Sequence, residues 1–142
     1  MARSVAAVLA GLAMSVLMTA LIAWAGQQLF PLPPGLDFAD PAQREFVMQQ
    51  VPVAALLLVL AAWFVGATDG AILAAWLAPA RPWLHGAVVV GLSALAALSM
   101  LLLLPHPLWF VLLTPVLYLL AWLIGGQIGC MLHDRRRAGI SR

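Results

Sequence analysis

Asp69 is the residue whose type and setting most invite chemistry, because it interrupts an otherwise apolar run at 51–78. An aspartate at the centre of a lipid-spanning helix costs about 2.5 to 3.5 kcal/mol on insertion scales, so something must compensate it. Counting inward from Ala78 places it roughly 13 Å deep at a helical rise of 1.5 Å per residue. Ser93 is equally deep in the following run and Ser15 lies at a comparable level in the first. The three are therefore expected as an intramembrane polar cluster, functionally a proton or cation site. The plainer expectation for Asp69 is a hydrogen-bonded packing residue, or one facing a shallow cavity. No second acidic or basic residue lies within an apolar run, so the charge relay of a coupled transporter is not visible. Gln127, Thr114 and Tyr118 in the last run are polar without being acid–base groups at neutral pH.

A second constellation falls in the polar breaks. His106, between Pro105 and Pro107, is expected on the same face as Asp37 and Asp40, with Glu45 nearby. Those donor types suit a metal or a proton; a structural loop histidine is the competing and preferred expectation. His85 and His133 stand at the ends of apolar runs, with Cys130 one turn before His133. A Cys-x-x-His pair supplies two ligands where a structural zinc site takes four. Cys130 is the single cysteine, which excludes an intrachain disulfide. No metal and no cofactor are expected. Nucleophilic catalysis needs a nucleophile, a base and an orienting group together, and the Ser, His and Asp residues are divided between opposite faces, so no enzymatic activity is expected.

The elements that must position these residues follow from composition. Of 142 residues, 65% are hydrophobic and 8% charged, against about a quarter charged in a soluble domain. Crossing the hydrocarbon layer takes about 20 apolar residues in a helix, and four runs qualify, at about 4–30, 51–78, 84–104 and 108–132. They are continuous and rich in Ala and Leu rather than alternating, which excludes a β-barrel. Prolines punctuate them: Pro31, Pro33 and Pro34 after the first, Pro79 and Pro82 after the second, Pro105 and Pro107 after the third. The expected fold is all-α, a single transmembrane domain over 1–142 built as a four-transmembrane-helix bundle. An external loop spans 31–50 and a cytoplasmic tail 133–142.

Arginine placement sets the orientation, since basic residues in short loops stay cytoplasmic. Arg3, Arg81, Arg135, Arg136, Arg137 and Arg142 fall on one side; Arg44 alone falls on the other, with Asp37, Asp40 and Glu45. Both termini are thus expected in the cytoplasm and the protein in a bacterial inner membrane. Trp24 and Trp109 near the outer ends and Trp76 and Trp83 near the inner ends fit interfacial belts; Trp63 and Trp122 are deeper and are expected to pack. Arg3, the first apolar run, Ala23 and Ala25 loosely mimic a cleavable signal peptide. The run exceeds the usual core of about 7 to 15 residues, so a retained span is expected. Asp40-Pro41-Ala42-Gln43 has a cap, a first-turn proline and a capping-box glutamine in order, predicting a short external helix from Pro41. Pro52 would kink that helix or mark the true start of the second span.

Small residues recur every fourth position: Ala7, Gly11, Ser15, Thr19 and Ala23 in the first span, Ala62, Gly66, Gly70, Ala74 and Ala78 in the second. Ala121, Gly125 and Gly129 repeat the pattern in the fourth, and Ala87, Gly91 and Ala94 more loosely in the third. Such stripes let helix backbones approach in lipid, within the bundle or between copies. The Arg135–Arg137 run enforces topology or holds anionic lipid headgroups, at about 1 kcal/mol per charge. Nucleic acid is not an expected partner; membrane lipids are, with homo-oligomers or a larger membrane complex as further partners.

Pro33-Pro34-Gly35-Leu36-Asp37, Asp40-Pro41 and Pro105-His106-Pro107-Leu108-Trp109-Phe110 carry a resemblance over most of the chain. It resembles an uncharacterised family of short bacterial four-helix integral membrane proteins. That resemblance implies the four-span fold and draws attention to the outer face, where both motifs fall; it implies no activity and does not include Asp69. Small multidrug transporters look dissimilar, because their essential carboxylate lies in the first helix, which here has none, and because dual topology needs balanced loop charge. The leading expectation is a non-enzymatic membrane protein acting by packing, as an oligomer or accessory subunit. A small transporter or channel using Asp69, and a protein binding lipid or a hydrophobic small molecule between its helices, are the alternatives.

Overall fold

The computed structural model describes residues 1–31 and 40–140. Five helices follow in order: α1 (Ala2–Leu29), α2 (Arg44–Gln50), α3 (Val53–Leu77), α4 (Pro82–Leu103) and α5 (Leu108–Ile140). No strand occurs among the described residues. Helices α1, α3, α4 and α5 are each long and apolar enough to cross a membrane, which fits a multi-pass membrane protein. Many of their large apolar side chains face outward, Leu17, Leu95, Leu112 and Leu119 among them, as lipid-contacting surfaces require.

Proline chemistry shapes the ends. Pro52 caps α3 in an extended conformation, and its carbonyl accepts from Ala55 and Leu56, so α3 starts after it. Pro82 takes the first turn of α4, where its missing amide hydrogen is not needed. Arg81 before it is left-handed, at φ 49° and ψ 57°, and links two antiparallel helices across a short turn. Pro115 lies inside α5, which continues through it; neighbouring helices make such interruptions tolerable in lipid. Helix α2 begins at Arg44, not at Pro41. Residues 41–43 form a turn whose Ala42 amide and Gln43 side chain both donate to the Asp40 carboxylate, each at 2.9 Å. The last helix runs through the arginine cluster to Ile140, two turns beyond the tail boundary expected near 133.

Helix α3 is the central element. It packs on α1, α4 and α5, while no Cα atom of α1 comes within 8 Å of one in α5. The approaches are as close as glycine permits. A Cβ on Gly11 of α1 would lie 2.6 Å from the Gly70 carbonyl oxygen of α3, and one on Gly70 would lie 2.7 Å from the Gly11 carbonyl oxygen. Gly66 sits against Thr19 and the Ser15 carbonyl. On the α5 side, Gly125 and Gly129 face Ala71 and Ala75 of α3: a Cβ on Gly125 would lie 2.8 Å from that of Ala71, and one on Gly129 2.5 Å from that of Ala75. Lipid tails are as apolar as leucine, so dispersion at these seams, not water exclusion, holds the helices together.

Helix α4 departs from its expected stripe. Gly91 is exposed, with nothing within 4 Å of a Cβ placed on it, so it is not a packing residue within this bundle. Gly86 takes that role: it is buried, and a Cβ placed on it would lie 3.4 Å from the Ala71 carbonyl oxygen. The loose spacing of Ala87, Gly91 and Ala94 misled because the true contact face also carries Val89, Val90 and Ala97.

Candidate functional site

Ser15 and Ser93 meet as expected, their hydroxyls 3.1 Å apart between α1 and α4. They meet because Gly70 has no side chain: its Cβ would fall 2.8 Å from that of Ser15. The threonine hydroxyls are occupied by backbone. Thr19 donates to the Ala62 carbonyl at 3.3 Å, Thr68 to Phe64 at 2.7 Å and Thr114 to Phe110 at 2.9 Å.

Asp69 does not join this pair. Successive residues turn about 100° around a helix, and Asp69 precedes Gly70, which faces α1. It lies on one strip with Val65, Ile72 and Trp76, on the side of α3 left open because α1 and α5 stay apart. The side chain is partly buried, and it makes no hydrogen bond or salt bridge among the described residues. The expected trio of Ser15, Asp69 and Ser93 is thus a hydroxyl pair inside the bundle and a separate carboxylate outside it. Depth alone brought them together in the sequence reading; the offset of Asp69 from the Gly66 and Gly70 stripe was the signal that separated them.

At the opposite end, His106 and Asp40 are tied into local structure. The His106 Nδ1 donates to the Leu104 carbonyl at 2.9 Å, and the ring stacks on Phe110 at 4.6 Å between centroids. Asp40 closes the turn before α2. Asp37 lies outside the described residues. Among the described residues no group of three or more His, Cys, Asp or Glu could hold a metal. This end is a seam: Phe110 is fully buried with Met48, Leu56 and Leu60, Trp63 meets it edge-on at 5.5 Å, and Arg44 donates to the Leu103 carbonyl at 3.4 Å. Helix α2 and the segment leading into α5 are therefore neighbours in space.

The arginine-bearing end has a different character. A cavity of about 360 Å³ opens where three helix ends converge, lined by Arg3 of α1, Leu77 at the end of α3 with Ala78 and Pro79 after it, and His133, Arg136 and Arg137 of α5. Arg137 donates to the Pro79 carbonyl at 3.1 Å, and the Arg136 guanidinium lies over the Trp76 ring at 5.7 Å. His133 is buried. Arg135 does not line the cavity. A larger, almost wholly apolar hollow of about 420 Å³ lies between α1 and α4 at the same end, lined by Val5, Val8, Leu9, Leu84 and Val88 with Ser4 and His85. Sequence reasoning missed the convergence of Arg3 and His133 with the C-terminal arginines, because it ended the last helix before them.

Comparison with protein-family models, curated proteins and solved structures finds no match.

Proposed function

We propose that the chain is a non-enzymatic assembly subunit of a bacterial inner membrane, both termini cytoplasmic, whose open α3 face receives a transmembrane helix of a partner. The observation that carries this reading is Asp69: a carboxyl group well inside a span, without a hydrogen-bond or ion-pair partner among the described residues, on the face that α1 and α5 leave uncovered. Left in hydrocarbon it costs about 2.5 to 3.5 kcal/mol; a hydrogen-bond donor on an incoming helix offsets that cost and makes the face specific. The distribution of arginines supports the orientation.

A photo-crosslinking residue placed at Val65 or Ile72, flanking Asp69, tests the reading in cells. The expected result is a discrete protein adduct at both positions, lost in Asp69→Leu and retained at least in part in Asp69→Asn, which still hydrogen-bonds. An adduct of twice the chain mass means a second copy; any other mass means a larger complex. Lipid adducts alone, with a monomer in mild detergent, refute it. Transport through Asp69 has no observation in its favour: the two cavities at the arginine-bearing end do not include it.

A further inference from the structure

The cavity among the arginines is explained neither by helix packing nor by Asp69. Arg3, Arg136 and Arg137 converge on it from two helices remote in sequence, and no carboxylate among the described residues lines it. Among the described residues none of the three forms a salt bridge. Bringing like charges together is unfavourable unless an anion enters between them. At about 360 Å³ the space equals the liquid share of roughly a dozen waters, ample for a phosphoryl group and part of its ester substituent.

Two of the arginines are also held. The Arg137 contact to Pro79 uses one of its five N–H donors, and Trp76 supports the flat face of Arg136 without consuming its donors. Guanidinium forks match phosphate oxygens in pairs, which a generic positive surface does not. Arg135 provides the contrast. It carries the same charge in the same run, so it serves topology equally, yet it lies about 100° around the helix from Arg136 and outside the cavity.

We propose that this cavity is a binding site for a phosphate-bearing anion, held by Arg3, Arg136 and Arg137 with His133 in its wall. A phospholipid headgroup and a soluble phosphate compound share that chemistry. Asp69 does not line this cavity, although Trp76 of its strip supports Arg136, and the test of the site does not depend on assembly.

The full-length protein in neutral detergent is examined by native mass spectrometry and by thermal unfolding with phosphatidylglycerol, phosphatidylcholine and inorganic phosphate. Phosphatidylglycerol is expected to stay bound one to one and to raise the unfolding temperature where phosphatidylcholine does not. Arg3→Gln and Arg136→Gln each weaken it about tenfold or more, the scale of one charged hydrogen bond, while Arg135→Gln leaves it within about twofold. Protection by inorganic phosphate without phosphatidylglycerol assigns the site to a soluble phosphate compound. Binding of neither probe overturns the proposal, as does equal weakening by Arg135→Gln and Arg136→Gln. Should Arg136→Gln fail to fold, Arg136→Lys keeps the charge without the fork. It must weaken phosphatidylglycerol, and full retention likewise overturns paired recognition.

Discussion

Adding one methyl group at Gly11 and at Gly91 should change stability in opposite directions. At Gly11 the new Cβ would sit 2.6 Å from the Gly70 carbonyl oxygen and 2.7 Å from the Ala74 Cβ, whereas real Cβ atoms essentially never come within 3.0 Å of such neighbours. Neither neighbour is the end of a flexible side chain, so α1 and α3 must separate by about half an ångström. A radial gap of about 0.5 to 1 Å forfeits a quarter to a half of each dispersion contact, and the loss extends along the seam that includes Gly66 and Ser15. Overpacking of this kind costs about 1 to 3 kcal/mol. At Gly91 nothing lies within 4 Å, and alanine in a helix interior is favoured over glycine by about 0.5 to 1 kcal/mol. Gly11→Ala should therefore lower, and Gly91→Ala raise, the midpoint of unfolding in mixed detergent titrated with dodecyl sulfate and followed by circular dichroism. A neutral Gly11→Ala would mean that α1 and α3 do not approach as described. A Gly91→Ala as damaging as Gly11→Ala would mean that Gly91 lies in a helix contact after all.

Three further outcomes follow from individual contacts. A double-mutant cycle of Ser15→Ala and Ser93→Ala should give a coupling of about 0.5 to 1.5 kcal/mol, the range for one interhelical hydrogen bond in lipid; zero coupling would mean the 3.1 Å pair is not formed. Among the described residues the Trp122 indole N–H is buried without a partner, while its ring packs on Trp83 at 5.3 Å. Trp122→Phe should accordingly cost less than about 1 kcal/mol, since relief of the orphaned donor offsets lost ring volume. Trp122→Ala should cost about 3 kcal/mol or more, and equal costs would reveal a partner for the indole. Arg81→Gly should stabilise by up to about 1 kcal/mol by releasing a left-handed backbone, measured in the same titration; an equal gain in Arg81→Ala, which keeps the strain, would trace the effect to the side chain instead.

What the sequence alone determined is one-dimensional: four apolar runs of spanning length, their proline stops, the clustering of arginines at one end, and the level of each polar residue along its helix. Hydropathy and rise per residue act along the chain, so these can be counted. Which way each residue faces was decided only by tertiary structure. Depth placed Asp69 beside Ser15 and Ser93, but packing of α1 on Gly66 and Gly70 turned it to the open side. Spacing offered Gly91 as a contact, and the fold used Gly86. Arg135 and Arg136 are equivalent as charges, and only the ending of α3 beside α5 distinguishes them. The physical reason is common to all three. In lipid an outward apolar face and an inward one have nearly the same chemistry, so azimuth is set by which small-residue stripe another helix fills, and that choice exists only once the helices are together. Asp69 keeps its depth from the sequence, and its open side from the fold.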